Sequence, residues 1–339
     1  MSGDLIVQRP EGLYCPPGDF YIDPWRRVDR AVITHAHADH ARTGHAHYLA
    51  TAVSEGLLRA RLGAGISLQG LAYGEVVEHH GVRLSLHPAG HVLGSAQVRV
   101  EHEGRVWVAS GDYRTTPAGA VPDRTCAPFE SVRCDVFITE STFGLPIYRW
   151  RADADVFAEI NRWWQANAEL GRASVLTCYS LGKAQRILAG VDASIGPIVC
   201  HGAVEPLNRA YRAAGVALPE TLQVGDVGDA ATLRRALVLC PGSALGSPWI
   251  QRFGEISDAF ASGWMQVRGW RRRGGLDRGF VLSDHADWPG LLSAIEASRA
   301  ERVIVTHGSV PVLVRHLREQ GLQADSFETE YGDEPEAAA

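Results

Sequence analysis

The tightest constraint on this chain is the six-residue run His35-Ala36-His37-Ala38-Asp39-His40. It follows the apolar segment Ala31 to Ile33, whose length and β-branched content predict a buried strand. Ligands on a loop at a strand's end are held by a rigid scaffold. Alternation puts His35 and His37 on one side and, with the turn, Asp39 and His40 on another, so one short loop can serve two neighbouring ions. Imidazole with carboxylate suits zinc first, with manganese the alternative where carboxylate ligation counts.

The surrounding pattern supplies the scaffold. Short apolar runs bounded by turn residues predict strands at Phe20 to Ile22, Ala31 to Ile33, Val82 to Leu86, Ala96 to Val100, Val106 to Ala109 and Val136 to Ile138. Between about Arg151 and Leu239 the texture changes. Val156, Phe157, Ile160 and Trp164 follow helical spacing, Val175 to Thr177 reads as a strand, and Leu181 to Val191 as another helix. That alternation predicts an inserted α/β domain. Near the end, Phe280 to Leu282 and Val303 to Val305 predict strands. Asp287 is placed to cap a helix with Pro289 in its first turn and Leu291, Leu292 and Ile295 facing inward, and a further helix runs through Val314 and Leu317.

Length and composition bound the alternatives. At 339 residues, two intimately connected domains are expected, and 45% apolar with 21% charged residues is globular composition. Apolar runs are too short to span a bilayer and no leader pattern opens the chain, so a cytoplasmic protein with no membrane partner is expected. Six scattered cysteines without a CxxC pair support neither a zinc ribbon nor a disulfide scaffold and read as buried free thiols. No GxSxG elbow or glycine-rich phosphate loop is present, which sets aside serine-nucleophile and nucleotide-cofactor chemistry. The net charge of −6 argues against broad attraction to nucleic acid, although a local basic groove would still focus a phosphate backbone. Of 33 basic residues only Lys183 is lysine, which singles it out.

The HAHADH run resembles the HxHxDH signature of the metallo-β-lactamase fold, and further motifs follow in that family's order. Asp23 in FYIDP matches an aspartate that braces the metal loop, His91 in PAGHVLGS the third ligand motif, and Asp112 in ASGDY the carboxylate shared by both metals. TEST at 139–142, SDHAD at 283–287 and VTHG at 305–308 resemble motifs A, B and C of the β-CASP nucleases, so the resemblance covers nearly the whole chain. It implies a metallo-β-lactamase αββα sandwich (1–145 and 275–331), a β-CASP cap inserted at 146–274, and a flexible acidic tail (332–339). It further implies that His35, His37, His91 and Asp112 hold one ion and Asp39, His40, Asp112 and His307 the other. Two such ions generate a nucleophile from water and clamp the non-bridging oxygens of a phosphodiester. By the same resemblance, His285 protonates the leaving oxygen or holds the scissile phosphate, Glu140 orients that imidazole, and Asp39 belongs to the catalytic group as well as to the ligands.

For the substrate, CYSLGKAQRIL at 178–188 places Lys183 near a helix N-terminus, a position that favours phosphate, and Ser283 is a second phosphate candidate. Arginines interleaved with tryptophans at Trp25 to Arg27, Arg149 to Arg151 and Trp270 to Arg273 form a weak pattern for phosphates and unpaired bases. His307 is what RNA-processing members carry in motif C, whereas SDHADWPGLLSAI followed by ERVIVTHGS resembles the bacterial ligase-associated DNA exonucleases. The expectation is a DNA exonuclease of 5′-to-3′ polarity in repair, acting with an ATP-dependent DNA ligase and a helicase, with a β-CASP ribonuclease as the alternative. A small-molecule metallo-hydrolase would lack the long insertion and the Glu140–His285 pair. A non-enzymatic scaffold would have lost ligands.

Overall fold

The computed structural model describes residues 3–116, 121–267 and 276–331. The Trp270 to Arg273 cluster and the tail from Gly332 lie outside the described residues. Contacts divide the chain into two compact units, one formed by Met1–Arg149 and His285–Asp333, the other by Trp150–Asp284.

The first unit opens with β1 (Val7–Arg9), β2 (Gly12–Cys15), β3 (Phe20–Ile22), β4 (Arg30–Val32), β5 (His47–Thr51), helix α1 (Glu55–Leu62) and β6 (Leu68–Leu71). These six strands form one sheet in sequence order, antiparallel up to β3 and parallel from β3 to β6. Then β7 (Val76–His79), β8 (Val82–Pro88), β9 (Ala96–His102), β10 (Arg105–Ala109) and β11 (Val136–Ser141) begin a second sheet.

In the other unit, α2 (Asp153–Glu169), β12 (Ala173–Thr177), α3 (Lys183–Gly190), β13 (Ile198–Cys200), α4 (Glu205–Ala213), α5 (Ala230–Leu233), β14 (Leu237–Cys240), β15 (Ile256–Ala261) and β16 (Arg278–Phe280) build an all-parallel sheet in the order β13-β14-β12-β15-β16. Strands β12, β13 and β14 are buried along their whole length, as parallel strands covered on both faces must be. Val156, Ile160 and Trp164 of α2 pack with Leu176, Leu237 and Leu239, while Val175, Val199 and Val238 join a separate cluster with Leu233 and Phe253. The strand expected at Phe280 to Leu282 ends at Phe280.

The chain then returns to the first unit with α6 (Trp288–Ser298), β17 (Arg302–Gly308), α7 (Val310–Glu319) and β18 (Gln323–Ser326), completing the second sheet in the order β18-β17-β11-β10-β9-β8-β7. Strand alternation sorts side chains into two layers. Along β17, Ile304 joins a core shared with Leu13, Phe20 and Ile22 of the first sheet, while Val303 and Val305 turn to the other face and meet Leu313, Leu317 and Ile295.

Among the described residues no helix is long and apolar enough to cross a membrane. All six cysteines are free, and five of them are buried.

Candidate metal centre

Strand ends deliver the site. β10, β11 and β17 are parallel neighbours, so Asp112, Glu140 and His307 emerge at the same edge of one sheet. Thr139 pairs with Val305 and Ser141 with Gly308, leaving Thr306 and His307 together opposite Glu140. Such a bulge re-aims the side chains around it, and it sits where β17 presents His307. From the other sheet, β4 leads into the HAHADH loop, and the Ala96 amide donates to the Thr34 carbonyl (2.8 Å), tying that loop to β9. Gly111, at φ +57°, lets the turn before Asp112 approach Thr34: a Cβ there would lie 2.7 Å from the threonine side chain.

Asp23 braces this loop from beneath. It is a non-glycine residue at positive φ (43°), 1% exposed. Its carboxylate accepts from the Thr34 amide (2.7 Å) and hydroxyl (2.5 Å), and its Oδ2 lies 2.7 Å from His40 Nδ1. With Nδ1 held this way, the His40 ring directs Nε2 into the site.

The remaining donors converge on one another. His35 Nε2 and His91 Nε2 each lie 3.1 Å from His37 Nδ1. Asp112 Oδ2 is 3.4 Å from His35 Nε2, 3.4 Å from His40 Nε2 and 3.8 Å from His91 Nε2, while Oδ1 is 3.2 Å from His307 Nε2. His35, His37, His91 and Asp112 form one ligand group and His40, Asp112 and His307 another, so Asp112 belongs to both. Asp39 stands at the margin, its Oδ2 3.7 Å from His40 Nε2. Nothing in an ordinary core explains buried imidazole nitrogens packed this closely around a carboxylate. His40 Nε2 and Asp112 Oδ1 are buried with no hydrogen bond, atoms that a protein interior leaves unsatisfied only at cost. The donor set fits divalent metal, with Asp112 common to the two groups.

The charges agree. Burial holds His35 well below the usual histidine range, with the neighbouring His40 adding to the effect. Burial opposes ionisation of Asp112, but the adjacent His40 and His307 rings outweigh it and keep the carboxyl well below its usual range. His40 runs the other way: burial would lower it, yet Asp112, Asp39 and Asp23 together raise it.

No family model matches the chain. Comparison with known proteins finds an Opitutus terrae protein named a probable DNA ligase, 33% identical over 320 residues, which are 94% of this chain and 30% of that protein. A ribonuclease of Thermus thermophilus is 28% identical over half of this chain and 44% of its own length. The cleavage and polyadenylation specificity factor subunit 3 of Dictyostelium discoideum is 26% identical over 37% of the chain and 16% of its own length. The chain therefore spans less than half of each of these relatives. Relatives of this chain thus include β-CASP nucleases of the metallo-β-lactamase fold, and it resembles them. A solved structure of an Enterococcus faecalis protein of unknown function shares the fold, with a TM-score of 0.57 at 13% identity, over 89% of this chain and 80% of that one.

Beside these two groups stands a histidine–carboxylate pair. His285 Nδ1 lies 2.9 and 3.0 Å from the two Glu140 oxygens, and Glu140, 1% exposed, also accepts from the Tyr113 amide (2.8 Å). The His285 ring sits 4.6 Å from that of His91, and its nitrogen, Glu140 and Asp112 form a further close group. Asp287, two residues on, accepts from the Gly290 amide (2.9 Å) and caps α6, so the start of the helix anchors the backbone just after His285.

The two residues expected to contact substrate lie inside their own unit. Lys183 has no exposed surface, and its ammonium lies 3.0 Å from Asp284 Oδ2. Arg186, one turn along α3, meets Asp284 Oδ1 at 3.0 Å and Asp153 at 2.5 Å. The helix thus carries Lys183 into the core of its own unit, where a compensating carboxylate is obligatory, instead of presenting it to a phosphate. Ser283 is buried too, and its carbonyl accepts from Arg186. Of the Trp/Arg clusters, Trp25 is buried with its indole N–H on the Pro10 carbonyl (2.8 Å), and Arg151 pairs with Glu159.

Two residues not foreseen from the sequence touch the metal loop. Arg61, at the end of α1, donates to the Ala36 carbonyl inside HAHADH. Tyr331 stacks on His40, with ring centroids 4.3 Å apart and an interplanar angle of 17°. Neither sits in a motif, and only the fold brings them near.

Proposed function

We propose that this chain is a two-metal phosphodiesterase acting on DNA as a 5′-to-3′ exonuclease in repair. The observation that carries the chemistry is the sharing of Asp112 by two histidine groups, next to the His285–Glu140 pair. His35, His37, His91 and Asp112 would hold one ion, Asp39, His40, Asp112 and His307 the other, with zinc the first choice and manganese the second. The ions would supply activated water and neutralise charge building on the phosphate. The protein's own part is to move a proton. With Nδ1 held by Glu140, the His285 Nε2 is the atom that delivers it to the leaving oxygen. Asp39, at the margin of the ligand groups, joins the catalytic set from the metal side.

The β-CASP cap of this reading, expected at 146–274, would be the unit Trp150–Asp284, whose separate compactness supports an insertion. DNA is favoured because similarity over 94% of the chain runs through a protein named a probable DNA ligase. That relation also favours an ATP-dependent ligase, with a helicase of the same system, as partners. Free thiols throughout suit a cytoplasmic protein. RNA is the second reading, supported by His307 in motif C and by similarity to proteins named ribonuclease and polyadenylation factor.

The test uses matched, end-labelled single-stranded DNA and RNA, each with and without a 5′-phosphate, in Mn²⁺ or Zn²⁺, beside Asp112→Ala. Stepwise shortening of DNA, with label position reporting polarity and no cleavage by Asp112→Ala, is expected. Preferential cutting of RNA would replace the first reading with the second.

A further inference from the structure

The residues after β18 form a strap whose contacts lead to the metal loop. The Phe327 amide donates to the Val305 carbonyl (3.1 Å) and the Glu328 amide to Gln8 Oε1 (2.8 Å). The Glu330 carboxylate meets Arg26 at 3.3 Å, and its carbonyl accepts from Arg42 at 3.3 Å. Four anchors on separate segments fix a stretch of five residues that belongs to no helix or strand.

That fixing serves one side chain. Tyr331, 7% exposed, lays its ring flat on His40 and meets His307 edge-on, with centroids 5.4 Å apart. Its hydroxyl donates to the Asp23 carbonyl (3.2 Å), and Trp25 packs edge-on against its far side at 5.6 Å. His40 is therefore constrained twice, at Nδ1 by the Asp23 carboxylate and across its ring plane by Tyr331, which itself hydrogen-bonds Asp23. A cavity of about 20 Å³ lined by Asp23, His40, Gly111, His307 and Tyr331 leaves room for one water, so the tyrosine closes this side of the site.

We propose that Tyr331 is a positioning residue for the His40–Asp112–His307 half of the centre, which makes the strap at 327–331 a working part of the metal site. The proposal rests on the two-ion reading given above. Its physical basis is preorganisation: a ligand whose ring is already held in the plane the ion requires loses less freedom on binding. Supports of this kind alter metal affinity by about 10–100-fold. Both rings that Tyr331 meets, His40 and His307, belong to the same group, so the effect should fall on one ion of the two.

The experiment is metal titration of the full chain, read by bound-metal stoichiometry after equilibrium dialysis and by the visible absorption of Co²⁺, for wild type, Tyr331→Phe and Tyr331→Ala. Wild type should take up two equivalents. Tyr331→Phe, which keeps the stacked ring, should stay within about threefold of it, whereas Tyr331→Ala should hold one ion normally and the second at least about tenfold more weakly, with an altered cobalt spectrum. If Tyr331→Ala fails to fold, Tyr331→Leu, which fills the space without a flat ring, gives the same comparison. Two ions bound with wild-type affinity by the alanine or leucine variant would overturn the proposal, as would equal weakening of both ions. Failure of wild type to bind two ions would instead overturn the two-ion reading on which it rests.

Discussion

At the scale of single residues, the proposed centre divides labour between groups that would hold metal and groups that hold those groups. His285 has its partner in Glu140 and stands outside both ligand sets that share Asp112 in the proposed assignment. His285→Ala should therefore leave two ions bound by stoichiometry while cleavage slows about 10²–10⁴-fold, the usual contribution of a positioned acid or base. Wild-type turnover by that variant would remove His285 from the mechanism. Protonation gives a second prediction. In the metal-free protein the aspartates around His40 raise it well above 6.5, despite burial. A raised pKa contributes stability that is complete below 6.5 and is lost as pH rises through the folded value. His35 is shifted downward, so above 6.5 it is neutral folded or unfolded and adds no slope. Metal-free protein should thus lose thermal stability as pH rises above 6.5, while metal-loaded protein, in which protons no longer occupy His40, should not show that loss. Parallel melting curves for the two forms would contradict the assignment. Most of these residues were legible in the sequence because HAHADH, the Gly-Asp turn and the three later motifs preserve donor type and order. Tyr331 and Arg61 were not, since a lone aromatic or arginine outside a motif carries no signal until the fold brings it near.

At the scale of elements, legibility followed the strength of the local pattern. Strands with alternating or β-branched runs, such as β8, β9 and β17, were found within two or three residues, and Asp287 capped α6 as its spacing required. Short strands such as β1, with the sequence Val-Gln-Arg, have no periodicity to read, and they exist because a neighbouring strand satisfies their backbone. Helix α3 shows a different failure. Its boundaries were readable, but the burial of Lys183 was not, because its partner Asp284 lies far along the chain. Removing one member of a buried pair leaves an uncompensated charge. Lys183→Met should destabilise the protein by about 3 kcal/mol, the low end for such a loss, because Arg186 still faces Asp284. Urea unfolding measures this directly, and a change below about 1 kcal/mol would mean that the pair is not buried in solution.

At the scale of the whole molecule, the organising fact is that one unit is interrupted by the other. Two stretches of chain, Met1–Arg149 and His285–Asp333, make a single compact body, and β11 pairs with β17 although all of Trp150–Asp284 separates them in sequence. The motif order could reveal an insertion. It could not reveal the bulge that places Thr306 and His307 opposite Glu140, because register is a property of two strands and is written in neither alone.

That β11–β17 pairing also sets a timetable. A chain leaving the ribosome presents His35, His37, His40, His91 and Asp112 early, but β17 and its His307 emerge only after the entire intervening unit has been made. Pairing across so long a separation is slow to nucleate, and until it happens Glu140 has no His285 beside it and Asp112 no His307. A half-synthesised or truncated product can therefore collect metal-binding histidines without a working centre. On the proposed reading the centre is incomplete until β17 pairs with β11, a useful property for a protein whose proposed substrate is the cell's own nucleic acid.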